Sequence, residues 1–551
     1  MPTIVLKKSV LEKVIGKKLP IDKLKDRISM LGTNLEKIES DEIHVEIFPN
    51  RPDLLSEQGF ARAFSSFIGI KTGLREYKIK SSNCKVIVDK SVAMRPYTAC
   101  AIVKNLKFND ERIREIIQMQ EKLATTHGRK RKKSCYGIYP LQKINFPITY
   151  IAKDPKTIKF KPLGFKEDIP ADKIEELHPT GKEYKQITES WTKYPFYIDC
   201  KGKVLSMLPY TNSDDLGKID ETTKDVFIEC TGTDYQNVEI ALNMFVTTLA
   251  DMGGEIYSIE MIYPNKTSTT PNLNPSEMKI DINYVNKRLG LNLNEKEMIK
   301  YLASMGFGYK NGKALIPSYR ADILHQVDLI EDIAIAYGYE NFEEIIPKVA
   351  TIAQEDEFEK FKKKIIYLLI GLNFLETNSY HLIPKTLQLN NMNIQSEVIP
   401  LVDPISIEYN TLRSWLLPSL LQILKENKHN EYPQNIFEIA TVFLPDKQKA
   451  TLVDEKQHLS IVLCNPEIDY TKIKQVIDYL LRMFSIEYTI KETAHPSFIP
   501  GRVAEVIVNK ISLGFLGELH PTVLTNFTID TPIAVCELDC NMLFELVSKN
   551  N

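Results

Sequence analysis

The order of apolar and polar positions predicts strands and helices from the first residues onward. An apolar run at 4–6 and the alternating segment EIHVEIF, with Ile43, Val45 and Ile47 on one face, predict two strands. PNRPDLLS ends the second strand, because proline cannot donate a ladder hydrogen bond. We expect Asp53 to cap a helix whose apolar positions recur at helical spacing. These positions are Phe60, Ala63, Phe64 and Phe67.

The next region mixes both patterns and contains no repeat. A long helix is predicted by ERIREIIQMQEKLATT, and strands are predicted by KVIVDK, PFYIDCKG, KVLSMLPY and DVFIECTGTD. A second helix is expected from Gln236 to about Met252, ending at Gly253 and Gly254. The stretch YPNKTSTTPNLNPSE that follows has the composition of a linker.

A compact helical unit follows this linker. Asn294 and Glu297 have the spacing of a capping box, and the helix is expected to end at Gly306. A strand at 314–316 precedes a second helix through IAIAYGY. This is the size and pattern of a helix-turn-helix or winged module, a shape that many nucleic-acid binders use.

The last region is strand-rich, with an opening helix in KFKKKIIYLLIGLNF and a late hairpin in VAEVIVNKISLGFLGEL. At 551 residues the chain is too long for one ordinary core. We therefore expect a multidomain α+β protein. Its predicted domains span residues 1–80, 81–264, 270–347 and 350–551.

Composition narrows the function classes. The 70 basic and 72 acidic residues give a formal net charge of −2, so any contact with RNA must be local. Eight scattered cysteines without a CxxC pair, and nine dispersed histidines, indicate free thiols and no zinc site. No apolar run approaches the roughly 20 residues of a membrane span, and the first residues lack a signal peptide. We expect a soluble cytoplasmic protein that does not bind membranes.

The segment PSYRADILHQVDLIEDIAIAYGY contains a cluster of closely spaced acidic residues. Asp328, Glu331 and Asp332 fall at i, i+3 and i+4, and Asp322 precedes the helix and could join them. Clustered carboxylates suit Mg²⁺, which prefers hard oxygen ligands. The alternative is a solvated helix face whose acids are favoured by the helix dipole. The opposite, buried side is expected to consist of Val327, Ile330, Ala334 and Tyr337.

Two further segments carry polar groups that could form sites. HGRKRKK at 127–133 could bind phosphates through Arg129 and Arg131, or could be a solvated loop. The strands in KVLSMLPYTNS and FIECTGTD each run into a polar turn, and together they could form a pocket that binds an aminoacyl group and orients a water. Ordinary turn chemistry is the alternative. The candidate pocket residues are Ser206, Asn212, Glu229, Thr231 and Asp234.

Ten motifs, in order, resemble one family, the archaeal-type phenylalanyl-tRNA synthetase β subunit. The resemblance runs from residue 1 to about 547. The motifs are PNRPDLLSEQGFARAF, RPY at 95–97, QEKL with HGRKRK, HPTGKEY, ECTGTD, PSYRADILHQVDLIEDIAIAYGYEN, LRSWLLPSLL, FEIA, HPSFIPGR and LGFLGELHP.

The resemblance implies an α2β2 enzyme that joins phenylalanine to tRNA(Phe) at the expense of ATP. The α subunit of such an enzyme holds the synthetic site and binds ATP and phenylalanine. In the β chain, residues 81–264 would be an editing domain, 270–347 a B5-like domain and 350–551 a degenerate copy of the class II synthetase fold.

The degeneration is visible in the sequence. LRSWLLPSLL and FEIATVF look like the segments before class II motif 2, but FLPD follows where that motif would place its ATP-binding arginine. No glycine-rich motif 3 follows GELHP. Without those arginines nothing stabilises the triphosphate, so we expect this domain to be a docking surface.

The resemblance also assigns residues. The family's metal site falls on Asp322, Asp328, Glu331 and Asp332, and implies a structural Mg²⁺ near the α-subunit contact. The central domain of the family hydrolyses tyrosine mischarged onto tRNA(Phe). This chain has Tyr139-Pro140 where the family commonly has His-Asp.

Three further departures from the family pattern lie in LSMLPYTNS, at Leu208, Tyr210 and Thr211. Two alternatives therefore stay open. One is a non-catalytic assembly and tRNA-binding subunit whose editing site has lapsed. The other is a free-standing aminoacyl-tRNA hydrolase, in which the domain with HPSFIPGR and GELHP would have no partner to pack against.

Overall fold

The computed structural model describes residues 2–349 and 352–550. The chain forms two compact units, Met1–Ile346 and Pro347–Asn551. Helices and several separate sheets occur in both units. The predicted α+β multidomain class is therefore confirmed, whereas the four predicted domain boundaries stay a prediction.

The first unit opens with a three-stranded antiparallel sheet in the order β1-β3-β2. Ile4 and Val45 lie opposite each other in it, and both are buried. The strands predicted at 4–6 and 43–47 are thus present. The elements are β1 (Thr3–Lys7), α1 (Lys8–Ile15), α2 (Ile21–Met30), β2 (Asn34–Glu39), β3 (Glu42–Glu46) and α3 (Glu57–Phe67).

The predicted cap of α3 was wrong. Ser56 is the N-cap, and its hydroxyl accepts a hydrogen bond from the Gly59 amide at 3.0 Å. Asp53 lies in the preceding turn, where the guanidinium of Arg51 donates to both of its carboxylate oxygens at 2.9 Å. The Asp53 carboxylate, which the sequence pattern predicted to cap the helix, therefore accepts hydrogen bonds from Arg51 instead.

A ten-stranded sheet dominates the first unit, in the order β12-β11-β10-β7-β4-β14-β5-β13-β6, with β15 paired to β14. Its first elements are β4 (Ile79–Val88), β5 (Tyr97–Lys104), α4 (Asp110–Thr125), β6 (Ser134–Pro140), β7 (Ile148–Lys153), β8 (Lys159–Phe160), β9 (Ile169–Pro170), α5 (Ile174–Leu177) and α6 (Pro179–Tyr184). The others are β10 (Tyr194–Ile198), β11 (Val204–Met207), β12 (Thr211–Asn212), α7 (Asp214–Gly217), β13 (Val226–Gly232), α8 (Tyr235–Asp251), β14 (Glu255–Tyr263) and β15 (Lys266–Thr270).

The two faces of this sheet differ in what covers them. Alternate side chains of β13, namely Val226, Ile228 and Cys230, pack with apolar residues of α4 and α8. On the opposite face, Phe227 belongs to an aromatic cluster that includes Tyr139 and other tyrosines of the sheet. Because successive side chains of a strand point to opposite faces, β13 contributes one set of side chains to the core covered by helices and the other set to the aromatic cluster.

A small module follows, built from a three-stranded sheet in the order β16-β18-β17 and three helices. Asn294 and Glu297 form the predicted capping box at the start of the second helix, and Gly306 has a left-handed backbone with φ +84° just beyond its end. The elements are β16 (Ser276–Lys279), α9 (Ile282–Leu289), α10 (Glu295–Ser304), β17 (Gly308–Lys310), β18 (Lys313–Ile316) and α11 (Gln326–Tyr337).

The second unit contains a seven-stranded sheet in the order β19-β22-β23-β27-β26-β25-β24. The expected opening helix and late hairpin are present as α12 and β25–β26. Its first elements are α12 (Glu357–Gly371), β19 (Leu375–Glu376), β20 (Leu382–Ile383), α13 (Lys385–Gln388), β21 (Thr411–Leu412), α14 (Leu417–Glu426), β22 (Gln434–Pro445) and β23 (Val453–Cys464). The others are α15 (Tyr470–Met483), β24 (Thr489–Glu492), β25 (Phe498–Val508), β26 (Ile511–Leu519), α16 (Pro521–Asn526), β27 (Ile533–Asp539) and α17 (Cys540–Asn550).

Two chain-wide features bear on the expected environment. All eight cysteines lie in the described part of the chain and carry free thiols. Within residues 2–349 and 352–550, no helix has both the length and the apolar composition needed to cross a membrane.

Candidate functional site

One buried carboxylate lies on the large sheet, on the strand next to the terminal strand β6. Glu229 belongs to β13, which pairs with β5 on one side and β6 on the other, so that Glu229 lies opposite Cys100 and Gly137. The strand is buried along its whole length, and Glu229 is 0% exposed. A buried ionisable group costs free energy unless it is paired, which makes Glu229 a candidate for function rather than for stability.

The carboxyl group of Glu229 is only half satisfied. Its Oε1 lies 3.1 Å from the Tyr139 hydroxyl, which also lies 3.1 Å from Asn212 Oδ1. Its Oε2 is buried and has no hydrogen-bond partner among the described residues. Burial raises the pKa of Glu229 to about 8, although the Tyr139 hydroxyl and the Arg95 charge pull it down. At neutral pH the group is therefore mostly a neutral acid.

Two other predicted pocket residues lie beside this pair. Ser206 on β11 is directly opposite Asn212 on β12. The Ser206 hydroxyl is buried next to the Tyr139 hydroxyl, without the geometry of a hydrogen bond. The fold thus brings Glu229, Asn212 and Ser206, from three consecutive strands, together around the phenol of Tyr139, which belongs to a strand much earlier in the sequence.

The remaining two predicted pocket residues have structural contacts of their own. Thr231 is held by the fully buried Arg95, whose Nε lies 3.2 Å from the threonine Oγ1 and whose Nη2 donates to the threonine carbonyl at 3.0 Å. Asp234 is the N-cap of α8, accepting from the Asn237 amide at 2.9 Å, and lies 3.4 Å from Lys133. Their catalytic roles stay a prediction. Arg95 was missed as a site residue, although the RPY motif contains it.

The side chains of the basic loop at 127–133 are of two kinds: some contact the rest of the protein and others are exposed. Arg131 donates to the carbonyls of Pro209 and Tyr210, both at 2.9 Å, and its guanidinium lies 4.8 Å from the Tyr184 ring centre. Arg129, Lys130 and Lys132 are exposed instead. The forked donor predicted at Arg131 thus holds the loop to the sheet, and RNA contact by the exposed residues stays a prediction.

The four acids predicted to bind Mg²⁺ line one cavity of about 320 Å³, together with Arg51. They are Asp322, Asp328, Glu331 and Asp332. Asp332 is buried, and the buried side of α11 consists of Leu329, Ile330, Ile333 and Ala334 with it. The expected apolar side was therefore partly wrong, since Val327 and Tyr337 are only half-buried.

Arg320 is the partner that sequence reasoning missed. Its guanidinium donates to both oxygens of Asp322, at 2.8 and 2.7 Å, and to Asp332 at 2.7 Å. Only 2% of the Arg320 side chain is exposed. Burial raises the pKa of Asp332, and Arg320 opposes that rise. The signal was present in the sequence as the Arg two residues before Asp322.

The other two acids also have protein donors. Asp328 accepts from the amides of Leu324 and His325 at 2.8 Å, and Glu331 accepts from the Tyr339 hydroxyl at 2.7 Å. In the described part of the chain no group of three or more metal-ligating side chains is arranged to hold an ion. As arranged, these residues do not fit Mg²⁺, because Arg320 supplies the positive charge. The Mg²⁺ assignment stays a prediction of the resemblance.

The second unit contains three arginines, and two of them are held in ion pairs. Arg413 is fully buried and donates to Glu438 at 2.9 Å and to the Thr441 carbonyl at 2.8 Å. Arg502 pairs with Glu518 at 2.6 Å, and Arg482 lies in the last turn of α15. Arg482 is exposed, and it lies on a helix rather than on a strand of the sheet.

Comparisons with known families agree with this architecture. A family model described as "Phenylalanyl tRNA synthetase beta chain CLM domain" matches residues 342–540, and one described as "tRNA synthetase B5 domain" matches residues 278–339. Matches of these two kinds in one chain define a subunit of an aminoacyl-tRNA synthetase.

Similar proteins cover the whole chain. The "Phenylalanine--tRNA ligase beta subunit" of Pyrococcus abyssi is 38% identical over 99% of this chain and 100% of its own length. The protein of the same name from Pyrococcus horikoshii is also 38% identical, with the same coverage. The chain belongs to the family of phenylalanine–tRNA ligase beta subunits. It is therefore part of a ligase that acts in protein biosynthesis, and a beta subunit implies an alpha partner and tRNA.

A solved structure supports the first unit. The crystal structure of an N-terminal fragment of the phenylalanyl-tRNA synthetase β-subunit from Pyrococcus horikoshii aligns with a TM-score of 0.58 and 38% identity. The match covers 61% of this chain and 99% of the fragment. The predicted family is thus confirmed by sequence and by fold.

Proposed function

We propose that this chain is the non-synthetic partner in an α2β2 phenylalanine–tRNA ligase. A separate α subunit binds ATP and phenylalanine and forms the aminoacyl ester on tRNA(Phe), in the cytoplasm. The β chain supports that reaction by docking the α subunit and the tRNA. The observation that carries the proposal is the placement of the three arginines of the second unit. ATP activation needs cations directed at the triphosphate.

The contacts of Arg413 support a docking role for this unit. Its guanidinium is enclosed with Glu438 and also donates to Ser379 Oγ at 2.8 Å, so it serves the packing of the sheet. A buried pair of this kind cannot turn outward without leaving Glu438 charged and unpaired. This contact supports the proposal that the seven-stranded sheet serves for docking rather than for synthesis.

The test is co-expression with an α subunit from a related archaeon. We expect the two chains to co-purify at equal stoichiometry with a mass equal to two of each, and the complex to charge tRNA(Phe). A complex of β chain with itself alone, or charging by α subunit that is unaffected by adding β chain, would contradict the proposal. A β chain lacking residues 347–551 is the control and should lose the complex.

A second activity is favoured by one observation, the unpartnered Glu229 Oε2. We propose that the pocket around Glu229 is a site for hydrolysis of mischarged tyrosyl-tRNA(Phe). An aminoacyl ester is already activated, so such a site needs only to position a water and to select the tyrosyl hydroxyl. A buried polar group without a partner favours the substrate that can hydrogen-bond to it. Tyrosine offers a hydroxyl for this bond, whereas phenylalanine would leave the group unpaired.

Glu229 is the residue proposed to bind the tyrosyl hydroxyl, and Asn212 the one proposed to orient the ester. Preformed tyrosyl-tRNA given to the assembled enzyme measures this activity directly. Replacing Glu229 by Ala should slow ester loss while phenylalanine charging stays nearly unchanged. If the unchanged enzyme releases tyrosine and Glu229→Ala releases it at the same rate, another residue selects the substrate.

A further inference from the structure

Tyr139 lies inside the site proposed for editing. It belongs to β6, directly opposite Phe227 of β13, and the two ring centres are 5.8 Å apart. The side chain is 0% exposed. Its hydroxyl lies between Glu229 Oε1 and Asn212 Oδ1, at 3.1 Å from each. A phenol that belongs to the chain thus contacts the two groups proposed to bind a substrate phenol and its ester.

The neighbouring backbone leaves room for this phenol. Gly137 is two residues before Tyr139 on the same face of β6. A Cβ at Gly137 would lie 2.4 Å from the Tyr139 hydroxyl oxygen and 2.5 Å from Glu229 Oε1. Any side chain at this position would push the two groups apart. The absence of a side chain at position 137 is therefore what allows Tyr139 to reach Glu229.

The number of hydroxyl protons limits which of these hydrogen bonds can form at the same time. A phenol has one O–H and can donate to only one of its two neighbours. Burial holds Tyr139 in its neutral form, with a pKa well above the ordinary value. Since Glu229 is also mostly neutral at pH 7, its acid O–H can donate to the Tyr139 oxygen while Tyr139 donates to Asn212. A substrate phenol would have to displace both bonds.

We propose that Tyr139 is a built-in occupant of the phenol-binding position, so that a tyrosyl side chain enters only when the Tyr139 ring moves out. This inference rests on the proposed editing site. It assigns Tyr139 as the residue that limits access to the editing site and so keeps hydrolysis there slow. Tyr139 is a specificity-determining residue, not a catalytic one, because it contacts no reacting atom in this arrangement.

A small phenol can test occupancy without any tRNA. Tyr139→Ala should open a cavity beside Glu229 and Asn212, and p-cresol, which is the tyrosine side chain as a free molecule, should bind in it. The readout is calorimetric titration of the full chain, together with a rise in unfolding temperature on adding p-cresol. The unchanged protein should show neither. Toluene is the matched control and should bind at least tenfold more weakly, because it leaves both polar groups unpaired.

A second variant covers the case in which Tyr139→Ala does not fold. Tyr139→Val suits a strand better, since valine is β-branched, and it is titrated with phenol itself. Failure of the folded variants to bind any phenol, or binding by the unchanged protein that equals that of the variants, would overturn the proposal.

Ester loss from preformed tyrosyl-tRNA separates occupancy from editing. With the α subunit present, the unchanged chain should release tyrosine slowly but above the spontaneous rate, and the Tyr139 variants should release it about tenfold faster. Phenol binding by the variants without faster ester loss supports occupancy and refutes the editing function. Rapid ester loss by the unchanged chain, with no gain in the variants, refutes occupancy and leaves the editing function in place.

Discussion

Replacing Arg320 by Met tests whether an arginine, rather than a metal ion, compensates the acidic cluster. The change removes three hydrogen bonds of 2.7 to 2.8 Å to Asp322 and Asp332. The side chains of these acids are only 10% and 8% exposed, so water cannot replace the lost guanidinium. Removing one partner of a buried ion pair costs about 3–5 kcal/mol, because the other is left charged and unpaired.

That free energy sets the size of the thermal shift. Entropy of unfolding is roughly 2.1 cal/mol/K per residue, which for the unit spanning Met1–Ile346 corresponds to about 1.4 °C of Tm per kcal/mol. We therefore expect the transition of this unit to fall by about 4–7 °C. Calorimetry of the full chain resolves the transition if the two units unfold separately, and denaturant unfolding gives the free energy independently.

Two further variants show where the loss comes from. Arg288 is exposed on α9, so Arg288→Met should change the stability by less than about 0.5 kcal/mol. Arg320→Met combined with Asp332→Leu should recover part of the loss, since it removes one unpaired buried carboxylate. A Tm of Arg320→Met within 1 °C of the unchanged protein, or one that depends on Mg²⁺ in the unchanged protein, would refute the reasoning.

Two other predictions concern the large sheet. The raised pKa of Glu229 means that the folded chain keeps a proton which the unfolded chain loses above its ordinary pKa of 4.5, so stability should fall as pH rises from about 4.5 to 8. Glu229→Gln should flatten that slope by up to about 1.4 kcal/mol per pH unit in denaturant titrations, and an unchanged slope would contradict the raised pKa. Asp234→Ala should cost about 1 kcal/mol through the lost cap of α8, while Asp234→Asn should cost little, and equal costs would assign the loss to Lys133 instead.

Local patterns were read correctly where the interaction itself is local. The capping box at Asn294 and Glu297 spans three residues, so spacing alone determines it. The helix and strand periodicities were sufficient for the same reason, except in the expected linker, where Lys266–Thr270 forms β15 and pairs with β14. Asp53 shows the limit, because Arg51 forms a side-chain fork with it that competes with helix capping. Both roles suit the same carboxylate, and only the folded backbone decides between them.

The sequence indicated which residues belong to the candidate sites, but it did not indicate which of these residues contact each other. Tyr139 and Glu229 meet because β6 and β13 are neighbours in register, across 90 positions of the chain. No sequence pattern specifies that register. Asp332 was predicted to bind Mg²⁺ or, alternatively, to belong to a solvated acidic face, yet it is buried against Arg320, twelve residues earlier. Periodicity marks which face a residue is on, but not which charge lies opposite it.

The most direct test of the central claim is phenylalanine-dependent exchange between ATP and pyrophosphate. The purified chain alone should show no exchange above background, because Arg413 and Arg502 are held in ion pairs and Arg482 lies on a helix rather than on the sheet. Adding an α subunit should give exchange at the rate of a complete ligase. Exchange by the chain alone at a comparable rate would place a synthetic site in this chain and contradict the account.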